Sequence, residues 1–354
     1  MTPVTIICLL LCFPHLFHLG SAMTDQTGSP CQTIDPYKFL QIIPHPNGSI
    51  TRLRHDPQTS LASNPNLPIS VLSKDITIDQ SHNTFIRIFL PRKALDHASS
   101  NRKLPLVVFF HGGGFIFLSA SSTLFHVFCS NMANDTEAVV VSVNYRLAPE
   151  HRLPAAYDDA MKALHWIQTH PGKEEWLSKY ADYSNCYLMG SSAGGNIAYH
   201  TGLRAAVELH HRGPLKIKGL ILVQPFFGGV KRTASELRLM NDSHLPLCAT
   251  DLMWELSLPR GADRDHEYCN LTVGNGSKQL DEMERLRWRV LVTGCDGDPL
   301  FNRQREVVNL VAHKRVRVVE FFVPGQYHGI QDHEPSKAKP LFDVVKHFTF
   351  PLIQ

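Results

Sequence analysis

The stretch that decides the fold runs from Tyr187 to Gly195 and reads Tyr-Leu-Met-Gly-Ser-Ser-Ala-Gly-Gly. An apolar run leads into it and a helical pattern follows, so Ser192 is predicted at a sharp strand-to-helix turn. Such a turn exposes the serine hydroxyl, and Gly190 and Gly194 remove the Cβ atoms that would clash there. The pattern indicates Ser192 as a nucleophile, with Ser191, one place off the motif centre, as the weaker alternative.

On both sides of this turn, short and continuously apolar runs alternate with helical patterns. Continuous apolar runs are typical of strands that are buried on both faces of a parallel sheet. The predicted strands cover residues 104–110, 138–143, 186–189, 219–223, 290–292 and 316–323. The predicted helices cover residues 155–169, 194–210, 302–313 and 336–348. This alternation predicts an α/β fold with an open, mainly parallel sheet and helices on both of its sides.

Two segments depart from the alternation. Residues 23–66 are rich in Pro, Ser, Thr, Asn and His, and we expect them to pack on the body as an N-terminal cap segment. After them, residues 69–78 and 84–90 predict two strands joined by a turn. Residues 231–284 hold a short helical piece in a polar, irregular region, which is a candidate contribution to a cap or lid. We therefore predict a single domain over residues 23–354.

The first 22 residues allow two interpretations. Residues 4–19 are mostly apolar, and Gly20-Ser21-Ala22 is similar to a signal-peptide cleavage site. No basic residue precedes the apolar run, however, and Met23 offers a second start of translation, which would make residues 1–22 an upstream extension. The run is also too short and too interrupted to predict a membrane span. We expect a cytoplasmic protein, with secretion as the alternative.

The composition excludes several classes of partner. The net charge is +3 and no run of like charges stands out, so no nucleic-acid partner is expected. The eight cysteines form no Cys-x-x-Cys pair, which argues against a zinc site or a disulfide framework. No phosphate-binding loop or dinucleotide fingerprint is present. We therefore expect no metal and no cofactor, and a monomer that acts on a small molecule.

A glycine-rich loop follows the predicted strand at residues 104–110. It reads His111-Gly112-Gly113-Gly114-Phe115. Three successive glycines expose backbone N–H groups without side chains in the way, and such donors can converge on the oxyanion of a tetrahedral intermediate. In a site of this kind, the N–H of the residue after the nucleophile, here Ala193, is the partner donor. The loop therefore predicts an oxyanion hole.

A serine nucleophile needs a histidine base and a carboxylate that orients it. The chain has 20 histidines, so position must select the base. His328 lies in a glycine-flanked loop directly after the predicted strand at residues 316–323, at the edge of the sheet where ligand groups collect. We predict it as the base, whereas His333 is predicted as a surface residue.

The orienting carboxylate has two candidates in the loop that follows the predicted strand at residues 290–292. Asp298 precedes Pro-Leu at the point where a helix should start, which favours it. Asp296 lies two residues earlier in the same loop and stays open as the alternative.

Together these motifs resemble the plant carboxylesterases of the hormone-sensitive-lipase-like branch of the α/β-hydrolase fold, the GDXG lipolytic enzymes. The resemblance extends over nearly the whole chain from Met23 onward. It rests on residues 111–115, 144–151, 153–159, 190–196, 297–300 and 325–328. It implies that Asp298 is the triad acid and His328 the triad base, with oxyanion donors at Gly113, Gly114 and Ala193. It also implies metal-free hydrolysis of small carboxylic esters through an acyl-enzyme.

Members of the family that this sequence resembles also have other functions. Some relatives are small-ligand hormone receptors that lack the catalytic histidine, and others are lyases or cyclases that act on plant specialised metabolites. The presence of His328 argues against a receptor, but the same groups can perform the proton transfers of a lyase. A peptidase is a further alternative that the motif permits. Asn302 stands where relatives often carry an acidic residue, and it lies outside the triad.

Overall fold

The computed structural model describes residues 34–96, 102–209, 213–274 and 276–350. The possible leader, residues 1–22, lies outside the described residues. Within them, no helix is long and apolar enough to cross a membrane.

An eight-stranded sheet runs through the core, in the order β10-β9-β8-β7-β5-β6-β4-β3. The strands are β1 (Ile42–Pro44) and β2 (Ile50–Arg52), which form a separate hairpin, and β3 (Val71–Asp79), β4 (Thr84–Pro91), β5 (Leu104–Phe110), β6 (Val139–Asn144), β7 (Ala181–Ser191), β8 (Ile217–Val223), β9 (Arg289–Gly294) and β10 (Arg317–Phe322). Strands β5 to β10 are parallel to one another, whereas β4 is antiparallel to both β3 and β6. The predicted mainly parallel sheet is confirmed.

Helices cover both faces of this sheet. They are α1 (Pro36–Leu40), α2 (Arg92–Asp96), α3 (Thr123–Thr136), α4 (Ala155–Thr169), α5 (Glu175–Tyr180), α6 (Ala193–Glu208), α7 (Ala234–Arg238), α8 (Leu247–Ser257), α9 (Gly276–Arg285), α10 (Phe301–His313), α11 (Ile330–His333) and α12 (Pro335–Thr349). Alternate residues of β5 belong to two apolar clusters: Val108 is in the cluster that includes residues of α4 and α6, and Val107 is in the one that includes residues of α3 and α12. Because both faces of the strand are buried, its sequence is continuously apolar.

Helix α3 was missed by the sequence patterns. It contains two residues each of Thr, Phe and Asn, which are poor helix formers, and the side chain of Ser122 does not cap its first turn. Its stability comes instead from burial of Phe125, Phe128 and Met132 against the sheet. The local sequence therefore does not predict this helix, because tertiary packing stabilises it.

The two segments that depart from the strand–helix alternation meet in the structure. Helix α1 belongs to the N-terminal segment and is capped by Asp35, whose carboxylate accepts a hydrogen bond from the N–H of Tyr37 at 2.9 Å. It packs against α8, which belongs to the segment at residues 231–284.

A buried ion pair ties α7 to the body of the domain. The guanidinium of Arg303, on α10, lies 3.2 Å from the carboxylate of Glu236, on α7, and both side chains are almost fully buried. Arg303 also donates a hydrogen bond to the carbonyl of Lys231 at 2.5 Å. The start of the segment at residues 231–284 is therefore fixed to the sheet-covering helix α10.

We predict that Arg303→Met lowers the free energy of unfolding by about 3–5 kcal/mol, because it leaves the Glu236 carboxylate buried without its partner. Chemical denaturation measures the change. The control is Arg305→Met, since Arg305 pairs with Glu320 at an exposed position and such pairs contribute at most about 1 kcal/mol. Equal losses in the two variants would contradict the prediction, and Glu236→Leu combined with Arg303→Met should recover much of the loss.

Candidate active site

A strained turn places Ser192 between β7 and α6. Its backbone has φ of 53° and ψ of −117°, in the region that side chains rarely adopt. A Cβ at Gly190 would lie 2.0 Å from the carbonyl oxygen of Gly194, and one at Gly194 would lie 1.9 Å from the carbonyl oxygen of Phe110. No larger residue fits at either position, which explains the glycine spacing around the serine.

Two hydrogen bonds join the predicted nucleophile, base and acid. His328 Nε2 lies 2.9 Å from Ser192 Oγ, and His328 Nδ1 lies 2.7 Å from Asp298 Oδ2. The His328 side chain is largely buried, and that of Asp298 is fully buried. The structure therefore brings together three side chains that lie far apart in the sequence, in the arrangement of a serine-hydrolase triad.

The structure separates the two candidate carboxylates. Besides its bond to His328, Asp298 accepts hydrogen bonds from the N–H of Leu300 at 2.8 Å and the side-chain amide of Gln304 at 2.6 Å. Asp296 is exposed, and its carboxylate accepts instead from the N–H of Gly325 at 2.6 Å. Asp298 contacts the imidazole, whereas Asp296 supports the loop that carries it.

The electrostatics of the site favour a charged imidazole next to Asp298. Burial alone would lower the pKa of His328, but the negative charge and hydrogen bond of Asp298, together with the charges of Asp332 and Asp242, raise that pKa by more, so it lies above its usual value. The neutral imidazole can accept a proton from Ser192, and the imidazolium that results is stabilised by the buried carboxylate.

Ser191, the alternative nucleophile, binds a carboxylate other than Asp298. Ser191 donates a hydrogen bond to Asp332 at 2.6 Å, on α11. Burial raises the pKa of Asp332 to about 6. His333, predicted at the surface, is exposed and lies on the rim of the pocket that contains Ser192.

The glycine-rich loop faces the same pocket. Gly113 and Gly114 have φ of +107° and +61°, and a Cβ would lie 2.4 Å from the carbonyl oxygen of Phe117 and 2.3 Å from Met253 Sδ, respectively. Within the described residues, the N–H groups of Gly113, Gly114 and Ala193 donate to no protein acceptor. They are therefore available to an oxyanion beside Ser192.

A buried histidine and a tyrosine support this loop. The ring of His111 stacks on that of Tyr145 at 4.1 Å, and Tyr145 donates its hydroxyl hydrogen to the carbonyl of His111 at 2.8 Å. Burial lowers the pKa of His111 to about 4, so the ring is neutral near pH 7. Arg146, next to Tyr145, binds the buried carboxylate of Asp159 through two nitrogens at 2.8 Å each. Tyr145 lies in the motif at residues 144–151, but the sequence assigned it no role, since its contact is 34 residues distant.

The pocket in front of Ser192 has a volume of about 770 Å³. Its walls include residues of the N-terminal segment and of residues 231–284, among them Phe39, Arg54, His244 and Met253. Arg52, on β2, donates hydrogen bonds to the carbonyl of Ile116 at 2.6 Å and to that of Ala148 at 2.7 Å. The N-terminal segment thus both lines the pocket and anchors the end of the glycine-rich loop.

Known proteins with similar sequences and structures are esterases. A family model described as the alpha/beta hydrolase fold matches residues 107–332. The chain is 49% identical to carboxylesterase 20 of Arabidopsis thaliana, over 92% of this chain and 99% of that protein. It is 44% identical to 3-O-acetylpapaveroxine carboxylesterase CXE2 of Papaver somniferum, over 89% of this chain and 99% of that protein. The solved structure of an esterase of Pyrobaculum calidifontis is similar, with a TM-score of 0.66 and 26% sequence identity. The match covers 81% of this chain and 88% of that chain.

We predict that Asp298→Asn lowers the pKa of His328, because it removes the buried negative charge that raises this pKa. The measurement is an NMR titration of the His328 ring, with its resonance assigned by comparison with His328→Gln. Asp296→Asn is the matched control, since Asp296 lies in the same loop but does not contact the imidazole. An unchanged pKa in Asp298→Asn, or an equal fall in Asp296→Asn, would overturn the assignment of Asp298.

Proposed function

This chain belongs to the plant carboxylesterases of the α/β-hydrolase fold, in the hormone-sensitive-lipase-like branch, and we propose that it hydrolyses small carboxylic esters through a Ser192–His328–Asp298 triad. The observation that supports this mechanism best is the pair of hydrogen bonds, 2.9 and 2.7 Å long, that joins the three side chains beside the pocket. The class of enzyme, a carboxylic ester hydrolase, follows from its relatives; the roles of these residues are our proposal.

In the first half of the reaction, the ester carbonyl enters the pocket beside Ser192. His328 Nε2 takes the hydroxyl proton while Ser192 Oγ attacks the carbonyl carbon. The oxyanion that forms accepts hydrogen bonds from the N–H groups of Gly113, Gly114 and Ala193, each of which lowers the barrier by about 3 kcal/mol. The imidazolium then gives its proton to the leaving alcohol, and the acyl group stays on Ser192.

In the second half, a water molecule takes the place of the alcohol. His328 removes its proton as it attacks the acyl-enzyme, and the same N–H groups stabilise the second oxyanion. Collapse of this intermediate returns the proton to Ser192 Oγ and releases the carboxylic acid. Throughout, Asp298 keeps the proton of the neutral imidazole on Nδ1, so that Nε2 faces the serine.

We expect the acyl group of the substrate to be short. The name of the Papaver somniferum relative specifies a substrate with an acetyl ester, which supports the same size of acyl group here. The pocket is large enough for the alcohol part of a specialised metabolite, since ligand pockets of about 300–1,000 Å³ hold drug-sized molecules. We propose that the protein performs this reaction as a monomer in the cytoplasm.

The proposal predicts a burst of p-nitrophenol from p-nitrophenyl acetate or butyrate, followed by steady turnover, because these activated esters acylate Ser192, with release of the alcohol, faster than water hydrolyses the acyl-enzyme. Ser192→Ala should reduce kcat on the order of 10⁶-fold. Stopped-flow absorbance measures both phases, and circular dichroism shows whether the variant is folded.

Ser184→Ala is the matched control, since Ser184 lies on the same strand, β7, but is exposed. It should show the full burst and the full turnover. Ordinary turnover by Ser192→Ala would contradict the assigned nucleophile, and no turnover by the folded wild-type protein would contradict the proposed reaction.

A further inference from the structure

We propose that Gln224 is a positioning residue that holds the main chain on both sides of His328 and so keeps the imidazole between Ser192 and Asp298. The inference rests on the proposed function, because it assigns a role within that triad. Gln224 follows β8 directly and is fully buried.

The side-chain amide of Gln224 binds the two residues that flank His328. Its Oε1 accepts a hydrogen bond from the N–H of Gly329 at 2.8 Å, and its Nε2 donates one to the carbonyl of Tyr327 at 3.2 Å. A primary amide offers an acceptor and a donor in a fixed plane, which suits one N–H group and one carbonyl on neighbouring peptides. The amide therefore fixes the position and the direction of the backbone that carries the imidazole.

The same amide also reaches the loop of the triad acid. Gln224 Nε2 donates to Cys295 Sγ at 3.0 Å, and the backbone N–H of Gln224 donates to the carbonyl of Thr293 at 3.1 Å. Both partners lie shortly before Asp298 in the chain. Gln224 therefore couples the loop that carries the acid to the loop that carries the base.

The residues beside Gln224 hold the nucleophile. The carbonyl of Val223 accepts a hydrogen bond from the N–H of Ser192, and the N–H of Phe226 donates one to the carbonyl of Ser192, each at 2.9 Å. The short segment at residues 223–226 thus binds the main chain around all three proposed triad residues. A shift of this segment would change their separations together.

The backbone of Gln224 is itself in an unfavourable conformation. Its φ of +43° lies in the left-handed region, which is unfavourable for a residue other than glycine and persists where surrounding contacts over-determine it. Such strain concentrates at active sites. The loop that the amide holds contains Gly325 and Gly329, both with positive φ, and glycine gives the backbone many alternative conformations. The loop therefore needs a partner such as Gln224 to keep one conformation.

Other contacts secure the loop at different points. The carboxylate of Asp296 binds the N–H of Gly325, and the hydroxyl of Tyr327 donates to the carboxylate of Glu334 at 2.7 Å. Since neither contact involves the peptide groups that join His328 to its neighbours, loss of the Gln224 amide should loosen the imidazole without unfolding the loop.

The test compares Gln224→Leu and Gln224→Asn with the wild-type protein. Leucine fills the space but forms no hydrogen bonds, so kcat for p-nitrophenyl acetate should fall about 100-fold, the effect of a misplacement of about 1 Å, with KM within about twofold. Asparagine keeps an amide and tolerates a positive φ, but it is one methylene too short to span both peptides. We expect an intermediate loss of about 10-fold.

The pH profile separates positioning from a general loss of structure. The acid limb of kcat/KM reports the pKa of His328, because the neutral imidazole is the base. Asp298 raises this pKa, so a loosened contact in Gln224→Leu should move the midpoint of the limb to lower pH. Gln168→Leu is the control, since Gln168 is also buried but lies at the end of α4. It should keep the wild-type midpoint whatever its effect on stability.

The rate at which a fluorophosphonate labels Ser192 distinguishes a failure of the proposed triad mechanism from a failure of the proposed role of Gln224. No labelling of folded wild-type protein would overturn the triad mechanism itself. Labelling of wild type and Gln224→Leu at the same rate, with the same midpoint of the acid limb, would overturn the role of Gln224 alone. If Gln224→Leu does not fold, the test rests on Gln224→Asn. A wild-type kcat in folded Gln224→Asn would also overturn the positioning role of Gln224.

Discussion

The active site depends on a close approach of backbones at the turn after β7. There is no room for a Cβ atom at Gly190 or Gly194, because carbonyl oxygens of the turn itself and of β5 occupy that space. This contact holds the start of α6 against the end of β5. It therefore places the Ser192 hydroxyl and the glycine-rich loop that follows β5 at the same edge of the sheet, where the loops after β8, β9 and β10 also meet.

Burial then determines how these groups interact. A fully buried carboxylate such as that of Asp298 is stable only with several hydrogen-bond donors around it, and Leu300, Gln304 and His328 supply them. Burial by itself lowers the pKa of His328, but it also strengthens the attraction between Asp298 and the imidazole, and this attraction contributes to a pKa above the usual value. Packing and electrostatics are thus two consequences of one enclosed site.

Much of this arrangement was predictable from the sequence, for a physical reason. Strands buried on both faces must be continuously apolar, and the turn after β7 requires glycine at fixed positions, so local patterns located the sheet and Ser192. Asp296 and Asp298 are two residues apart in one loop, and residue type could not separate them; their burial and contacts do. The sequence around Gln224 gave no sign of its role either, because the partners of its side chain are 71 to 105 residues away. Helix α3 was missed because long-range packing stabilises it.

The parallel order of the sheet has a consequence for synthesis on the ribosome. The nucleophile follows β7, but the proposed base follows β10, an edge strand that is added late in the chain. A nascent chain therefore contains the proposed nucleophile before it contains the proposed base, which is added only when residue 328 is reached. Because a domain generally folds as a unit, the proposed triad can assemble only when the chain is nearly complete.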